Sequence, residues 1–260
     1  MFVKSTLLRS PHAFATRNGG VSTNEHTKSL NLAFGRGDER ETVLENLKIF
    51  AEAVGFKPQN IVSRPQIHSD RVFLVGKNNA GEGYFKTENI PEGDGYVTNE
   101  KGVVLGIKTA DCVPILFEAE KDGEVVAVGA VHAGWRGSVA KIAQKCVDML
   151  CREYDVKPEN IRVAIGPCIH KCCYEVGEDF LQSVSEALGH KVAEKFVMRD
   201  GDRLVCDLVA LNRCLLINCG FSPENIDVID ECTCCNPDKY FSHRYSKGHR
   251  GTMLNVIYMK

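Results

Sequence analysis

The chain has 260 residues, of which 43% are hydrophobic and 25% charged, and its formal net charge is −2. This length suits one large domain or two small ones, and the composition is that of an ordinary globular protein. The small net charge gives no basic footprint for nucleic acid or an anionic membrane, and no apolar run reaches the roughly 20 residues that span a bilayer. The N-terminus lacks the apolar core of a signal peptide, so we expect a cytoplasmic protein without nucleic-acid or membrane partners.

The N-terminal third is predicted to begin with a loop and to continue into one amphipathic helix. Turn-forming residues crowd positions 16–22. Asp38 is followed three residues later by Glu41, which is the spacing of a capping box, so we expect the helix to start at Asp38. Apolar residues then recur at helical period as far as Val54, and Gly55 predicts the end of the helix.

A short connector with the pattern Pro-[Glu/Gln]-Asn-Ile occurs three times, at residues 58–61, 158–161 and 223–226. Each copy follows a predicted helix and precedes a short predicted strand. Proline just past a helix blocks its continuation, so we interpret the copies as convergent connectors rather than as a true repeat. They predict three helix–strand units.

Two apolar runs at residues 103–108 and 125–131 predict neighbouring β-strands, because Val and Ile dominate both. The turn signal at 121–123 predicts a hairpin that joins them. Further helices are predicted at 138–153, at 178–188 and from the cap Asp207 to Gly220, and a last strand at 255–258. No linker interrupts this order, so we expect a single domain over residues 1–260, of mixed α+β class with mixed sheets.

Three potential metal ligands follow strand-like runs, although they lie far apart in the chain: His68, Cys112 and His132. Enzymes commonly hold zinc with three protein ligands and keep the fourth position for water or substrate, and imidazole and thiolate both suit this ion. The three residues therefore predict a zinc site. Asp111 precedes Cys112 and would orient a ligand, act as a general base, or serve only as a turn residue.

The segment 132–137 predicts an anion pocket beside this metal. Its glycines allow tight backbone paths, and N–H groups at the start of a helix favour an anion. Arg136 adds a planar fork that suits phosphate. The alternative is an ordinary turn with an arginine on the surface.

Cysteine is abundant, with twelve residues in the chain. In a reducing cytosol these are expected to be buried thiols or metal ligands rather than disulfides. Two groups stand out, and their members are Cys168, Cys172 and Cys173 in one and Cys232, Cys234 and Cys235 in the other. They would hold a structural zinc ion or an iron–sulfur cluster, or form a redox-sensitive contact, and we rank them below the His/Cys/His site.

Together these motifs resemble the bacterial laccase-domain, or polyphenol oxidoreductase, family of zinc-dependent purine nucleoside phosphorylases. The resemblance runs from about residue 16 to the C-terminus and rests on the segments 19–22, 29–32, 109–114, 132–137, 166–169, 174–177 and 241–244. It implies a four-layer α/β/β/α sandwich and zinc held by His68, Cys112 and His132. It also implies phosphorolysis of adenosine, inosine, guanosine and S-methyl-5′-thioadenosine, with adenosine deamination as a second activity.

The resulting hypothesis gives catalysis to the zinc ligands, with Asp111 beside them. Zinc with an open position lowers the pKa of bound water to about 7, and water activated in this way would attack C6 of adenine. Phosphorolysis needs phosphate beneath the ribose, held by Arg136, with Arg64 and Arg244 as further candidates. Two amides, Asn31 and Gln66, would hydrogen-bond the sugar or base, or serve only the structure.

Three rival functions remain open at this point. The first is a cysteine hydrolase or deamidase with Cys112 as nucleophile and His132 as base. The second is a non-enzymatic metalloprotein in quality control of peptidoglycan precursors, a process to which some family members are linked. The third, a copper polyphenol oxidase, is disfavoured because the chain has only eight histidines and no His-x-His pair.

Overall fold

The structure is a computed structural model that describes residues 1–260. Its strands are β1 (Phe2–Val3), β2 (His12–Ala15), β3 (Ile61–Val62), β4 (Val72–Leu74), β5 (Gly95–Thr98), β6 (Val104–Thr109), β7 (Val113–Lys121), β8 (Glu124–Ala133), β9 (Ile161–Ile165), β10 (Glu175–Val176), β11 (Val197–Asp200), β12 (Arg203–Cys206), β13 (Ile226–Val228) and β14 (Met253–Tyr258). Its helices are α1 (Arg40–Val54), α2 (Trp135–Val139), α3 (Ile142–Tyr154), α4 (Glu178–Leu188), α5 (His190–Phe196) and α6 (Leu208–Asn218). None of these helices has the length and apolar character needed to cross a membrane.

The strands form two large mixed sheets and one small sheet. The five-stranded sheet has the order β1-β2-β14-β6-β3, and only its β3–β6 pair is parallel. The six-stranded sheet has the order β13-β9-β7-β8-β5-β4, with parallel pairs at its two edges. The small antiparallel sheet has the order β10-β12-β11. The prediction of mixed sheets is therefore confirmed.

Three buried apolar clusters show how the layers stack. In the first, α1 packs through Leu47 and Phe50 on the outer face of the five-stranded sheet. The second lies between the two large sheets, where Leu105 of β6 and Leu116 of β7 are both fully buried. In the third, α3 and α6 cover the outer face of the six-stranded sheet. Helix, sheet, sheet and helix thus follow one another, which confirms the four-layer α/β/β/α sandwich.

The predicted pairing of the two central runs is wrong. The first run becomes β6 in the five-stranded sheet and the second becomes β8 in the six-stranded sheet. An unpredicted strand, β7, lies between them in sequence and pairs with β8. The hairpin at 121–123 joins β7 to β8, with Asp122 and Gly123 both at positive φ, as a tight two-residue turn requires. Because β7 is covered on both faces, its sequence lacks alternation, and Pro114 further disguises it.

Helix α1 ends as predicted but does not begin as predicted. Gly55 adopts the left-handed conformation and its N–H donates to the carbonyl of Ala51, which confirms the stop. The helix begins at Arg40, and Asp38 caps nothing. Its carboxylate instead accepts hydrogen bonds from Ser22 Oγ at 2.7 Å, Thr27 Oγ1 at 2.6 Å and Asn31 Nδ2 at 2.9 Å. The predicted capping box is therefore wrong, because the Asp38 side chain instead forms hydrogen bonds within the preceding loop.

The remaining helices agree with the prediction, except that one predicted helix is divided in two and one observed helix was not predicted. The predicted helix over 138–153 is divided into α2 and α3 at Lys141, which has a φ of +62°. Helix α4 ends at Leu188, and Asp207 caps α6 by accepting the N–H of Ala210 at 2.9 Å, both as predicted. Residues 190–206 add α5, β11 and β12, which were not predicted.

The three proline connectors are confirmed. Each forms one turn of 3₁₀ helix, at Pro58–Asn60, Pro158–Asn160 and Pro223–Asn225. Each leads directly into a strand, and these strands are β3, β9 and β13. The first unit feeds the five-stranded sheet and the other two feed the six-stranded sheet, so the copies do not form one repeat array.

Candidate metal centre

His68, Cys112 and His132 meet at one end of the sandwich. Their ligand atoms all lie within 4.8 Å of one another, and Cys112 Sγ is 3.8 Å from His68 Nε2. His132 is buried, Cys112 is half-buried and His68 is exposed, so one side of the group opens to solvent. Two imidazoles and a thiol with an open side have the donor types of a catalytic zinc site.

The sheet register explains how Cys112 and His132 come together. Strands β7 and β8 are antiparallel, and Val113 pairs with Ala133, so the start of one strand lies opposite the end of the other. Cys112 lies just before β7, in the short connection by which the chain passes from the five-stranded to the six-stranded sheet. His68 lies on the connection from β3 to β4, which makes the same passage.

A residue that the sequence analysis did not single out, Asp94, holds two of these ligands in place. Its side chain is fully buried just before β5. One carboxylate oxygen accepts from His132 Nδ1 at 2.8 Å and from the backbone N–H of His68 at 3.1 Å. The other accepts from Ile67 N–H at 3.2 Å and from both the N–H and the hydroxyl of Ser69 at 2.7 Å. Asp94 therefore fixes the His132 ring and the backbone of the His68 loop at once.

The hydrogen bond from His132 Nδ1 to Asp94 leaves Nε2 as the free ring nitrogen. Carboxylates behind metal-binding histidines commonly fix the ring and its tautomer in this way. Burial opposes the charge on Asp94, but the hydrogen bonds from His132 and Ser69 hold its pKa at about 2. The carboxylate is therefore ionised at any ordinary pH.

The thiol and the buried imidazole also favour each other's charged forms. Burial opposes the Cys112 thiolate, but His132 and then His68 lower the pKa of this thiol to about 6. Burial likewise opposes a charged His132, while Cys112 and Asp94 raise its pKa to about 9. Since the thiolate is the form that binds metals and attacks electrophiles, Cys112 is ready for either role.

Gly134 leaves the space that the three side chains occupy. A Cβ atom at this position would lie 2.9 Å from His68 Cδ2 and 3.3 Å from Cys112 Sγ. Its φ of −61° is ordinary, so the requirement for glycine comes from close approach and not from backbone conformation. Any larger residue would push into the ligand group.

Two cavities meet at the ligands, with volumes of about 330 and about 430 Å³. Five residues line both: Arg36, His68, Ala110, Cys112 and Arg250. Lys108 lines the first cavity, and burial together with the nearby Arg36 lowers its pKa to about 8. Trp135 and Tyr174 line the second cavity.

Arg36 and Arg250 bring unpaired positive charge to the junction of the cavities. Neither forms an ion pair with a carboxylate, and Arg250 Nε is buried without a hydrogen-bond partner. The rest of the Arg250 guanidinium donates to the carbonyl of Gly251 at 3.1 Å and to Thr252 Oγ1 at 2.8 Å. Burial, and then the charge of Arg36, lower the pKa of Arg250 to about 10. An anion bound here would relieve the repulsion and satisfy the free N–H.

Asp111 lies beside the site, but both of its carboxylate oxygens already have partners. One accepts from Thr233 Oγ1 at 2.6 Å and the other from the backbone N–H of Arg244 at 2.7 Å. Asp111 has a φ of +94°, and its side chain lines the second cavity. These contacts fit a residue that holds two loops together better than they fit a free general base.

The predicted arginines and amides take different positions. Arg136 and Arg244 line the second cavity; Arg136 is exposed and stacks over Trp135 at 4.3 Å, and the Arg244 guanidinium donates to the carbonyls of Cys173 and Glu175. Gln66 lines the first cavity, but its amide exchanges hydrogen bonds with the Lys108 backbone at 2.7 and 2.8 Å.

The structure does not bring Asn31 or Arg64 to either cavity. Asn31 is fully buried and its amide serves Ala33, Asp38 and Thr252. Arg64 is buried against Glu82, with 2.6 Å between Nε and Oε2. Both side chains are engaged in contacts within the fold.

Four residues of the site were missed: Asp94, Arg36, Lys108 and Arg250. The arginines had a local signal, because Arg36 stands between two glycines and Arg250 directly precedes Gly251. Glycine beside a charged residue in a loop allows close backbone approach to a ligand. Asp94 also stands between glycines, where it is easily taken for an ordinary turn residue.

Comparison with known proteins supports the family and the fold. Residues 11–260 match the family model described as multi-copper polyphenol oxidoreductase laccase. Purine nucleoside phosphorylase YlmD of Geobacillus stearothermophilus is 35% identical over 93% of this chain and 87% of its own length. A protein named Adenosine deaminase RL5, from an unknown prokaryotic organism, is 32% identical over 100% of this chain and 97% of its own.

A solved structure has the same fold. The Bacillus licheniformis protein YfiH superposes with a TM-score of 0.88 at 31% identity, covering 96% of this chain and 92% of that one. Matches of this extent, in sequence and in structure, lead to one conclusion. The chain belongs to the multi-copper polyphenol oxidoreductase laccase family.

Proposed function

We propose that this chain is a cytoplasmic, single-domain, zinc-dependent purine nucleoside phosphorylase that also deaminates adenosine. Its proposed substrates are adenosine, inosine, guanosine and S-methyl-5′-thioadenosine together with phosphate. The names of similar proteins support the two activities. One observation carries the proposal: Arg36 and Arg250, which have no carboxylate partner, lie next to a group of three potential metal ligands.

The donor set fits zinc. His68 and Cys112 offer Nε2 and Sγ, and His132 offers Nε2 because Asp94 takes its other nitrogen. A zinc ion held there would supply Lewis acidity and a means of activating water at neutral pH. The family name mentions several coppers, but only two histidines converge in this group, which is too few for a multicopper centre.

Phosphate is proposed to bind between Arg36 and Arg250, with Lys108 as a third cation in the first cavity. Arginine suits this anion because its planar fork donates two parallel hydrogen bonds. The free Nε of Arg250 provides one such donor. Arg136, which the sequence favoured, lines only the second cavity and stacks over Trp135, so it is proposed to contact the nucleoside and not the phosphate.

The nucleoside is proposed to lie in the second cavity, whose size of about 430 Å³ suits a small ligand. Trp135 and Tyr174 offer aromatic surface to a purine ring. Phosphate would then approach the sugar from the Arg36–Arg250 side, while the metal group lies between the two cavities. Asp111 would keep Arg244 and the loop of Thr233 in position along the wall.

The decisive experiment separates the two activities by their need for phosphate. The double variant Arg36→Ala/Arg250→Ala should lose phosphorolysis by roughly 10–100-fold for each arginine, because each hydrogen bond to a charged group is worth about 1.5–3 kcal/mol. Deamination of adenosine consumes only water and should largely persist. Cys112→Ala should lose both activities and the zinc ion held with His68 and His132.

Arg199→Ala provides a matched control, because Arg199 makes only a surface ion pair with Glu178. Products from adenosine with and without phosphate would be separated by chromatography, and metal would be counted in the same samples. Equal loss of both activities in the double arginine variant contradicts the phosphate assignment. Zinc without nucleoside turnover in the wild-type protein contradicts the enzyme proposal.

A cysteine hydrolase is the second candidate, and one observation favours it. Asp94, His132 and Cys112 form an acid–base–thiol series like that of a cysteine hydrolase, with a lowered thiol pKa. Such an enzyme would keep its activity after thorough chelation and lose it to a thiol alkylator. The zinc enzyme would lose activity to the chelator alone and regain it with zinc.

A further inference from the structure

A second group of metal-binding side chains lies outside the site described above. The Sγ atoms of Cys172, Cys173, Cys232 and Cys235 all lie within 4.8 Å of one another. Cys235 Sγ is 3.5 Å from Cys172 Sγ and 3.4 Å from Cys173 Sγ. We propose that these four thiols hold a structural zinc ion, and we call the group the four-thiol site.

The spacing fits one tetrahedral ion. Zinc–thiolate bonds of about 2.3 Å in a tetrahedron place the sulfurs about 3.8 Å apart, close to the separations observed here. An iron–sulfur cluster spreads its thiolates over several irons and needs a wider group. A disulfide would engage only two of the four thiols, and its bond length of about 2.05 Å is far below these separations.

The sequence around the thiols also suits zinc. Cys232 and Cys235 have the Cys-x-x-Cys spacing of zinc knuckles, with Thr233 and Cys234 between them. The backbone N–H of His170 points at Cys232 Sγ at 3.4 Å. Hydrogen bonds of this kind to sulfur are common around metal-bound thiolates.

The backbone brings the two cysteine segments together with little regular structure. Cys168 and Cys232 form an isolated parallel bridge, and the N–H of Thr233 donates to the carbonyl of Cys168 at 2.9 Å. Cys168 and Cys232 are buried, but Cys172 and Cys235 are exposed, so the packing leaves the outer side of this junction uncovered. A bound ion would supply the cross-link that the packing lacks, and metal binding commonly contributes to folding in this way.

The four-thiol site is structural and not catalytic, because four protein ligands leave no open coordination position. It nevertheless supports the second cavity. Ile169 and Tyr174, on either side of Cys172 and Cys173, line that cavity. The carbonyl of Cys173 accepts from Arg244 at 3.0 Å, and Thr233 donates to Asp111. The ion would therefore fix one wall of the active-site cavity from behind.

The test measures the number of metal ions per chain in a variant that lacks the His68–Cys112–His132 site. The variant His68→Ala/Cys112→Ala, purified without oxygen and with zinc in the growth medium, should retain one zinc ion per chain. Replacing this zinc with cobalt should give the intense near-ultraviolet thiolate-to-cobalt absorption of a four-thiolate site. Adding Cys172→Ser/Cys235→Ser should abolish both the metal and the absorption. Cys234→Ser, in the same loop but outside the group, should leave both unchanged.

The outcome does not depend on nucleoside turnover, so it can be separated from the proposed function. A folded His68→Ala/Cys112→Ala protein with no metal overturns the proposal, as does one iron per chain in place of zinc. A disulfide between Cys172 and Cys235 in anaerobically purified protein also overturns it. Should the serine variant fail to fold, alkylation of the wild-type protein decides: these four thiols should react only after chelation, and reaction before chelation overturns the zinc assignment.

Discussion

Replacing Asp94 by asparagine is the most informative single change, because Asp94 would act on a bound metal ion only through the ligands His68 and His132. Its two oxygens face different donors: one faces His132 Nδ1 and His68 N–H, the other faces Ile67 N–H and two groups of Ser69. An asparagine has only one oxygen, and it will face the three donors. Its NH₂ group must then face His132.

That arrangement forces a change of tautomer. His132 can accept from the new NH₂ group only if Nδ1 is unprotonated, and the proton then moves to Nε2, which is the atom needed for the metal. We expect zinc affinity to fall about 10–100-fold, or about 1.4–2.7 kcal/mol. The N–H of His68 also loses its acceptor, which costs about 1–3 kcal/mol of folding stability.

The assay is competition for zinc against a chromophoric chelator, with thermal unfolding of the metal-free protein measured in parallel. Ser69→Ala is the matched control, because it removes one donor to the same carboxylate and leaves the His132 hydrogen bond intact. Its zinc affinity should stay within a few-fold of wild type. Asp94→Asn protein that is folded and binds zinc as tightly as wild type would refute the positioning role.

Three further predictions test other contacts. Gly134→Ala should lower zinc affinity by at least tenfold with little change in the unfolding midpoint of the metal-free protein, since the new Cβ would lie 2.9 Å from His68; unchanged affinity would contradict the close approach. Asp111→Asn should reduce turnover without moving the acidic limb of the pH–rate profile, because this carboxylate binds Thr233 and Arg244; a lost limb would instead identify a general base. The pKa of His12 is lowered mainly by burial, so the folded protein holds this ring neutral. Folding stability should therefore decrease as the pH falls below about 6.5, where the ring becomes charged in the unfolded chain. His12→Gln should flatten that loss in urea unfolding measured between pH 7 and 5, and an unchanged slope would contradict it.

The sequence predicted the features that depend on local chemistry. Gly55 and Asp207 act at helix ends through hydrogen bonds to their own helices, and each proline connector blocks the helix before it. Local signals of this kind survive in almost any tertiary setting. Asp38 shows their limit, because its carboxylate had long-range partners that the capping pattern does not reveal.

The prediction of strand pairing failed where burial on both faces of a strand removes the alternation of apolar and polar residues. Strand β7 lies between a sheet and a helical layer, so apolar residues occupy both of its faces and the alternation that marks a half-exposed strand is absent. Without β7, the runs of β6 and β8 were joined into a false hairpin. Cys112 and His132 were still correctly expected to be neighbours, because the missing strand begins directly after Cys112.

The arrangement of the metal group depends on the contact between the two large sheets. His68 and Cys112 lie on the two connections by which the chain passes from the five-stranded to the six-stranded sheet, and His132 ends a strand of the second sheet. The separation of these ligands is therefore set by the apolar layer around Leu105 and Leu116, which fixes one sheet against the other. Because such layers are close-packed and deform little, the ligand atoms are held near one another before any ion binds. A ligand set that is distant in sequence thus follows from the packing of the two sheets.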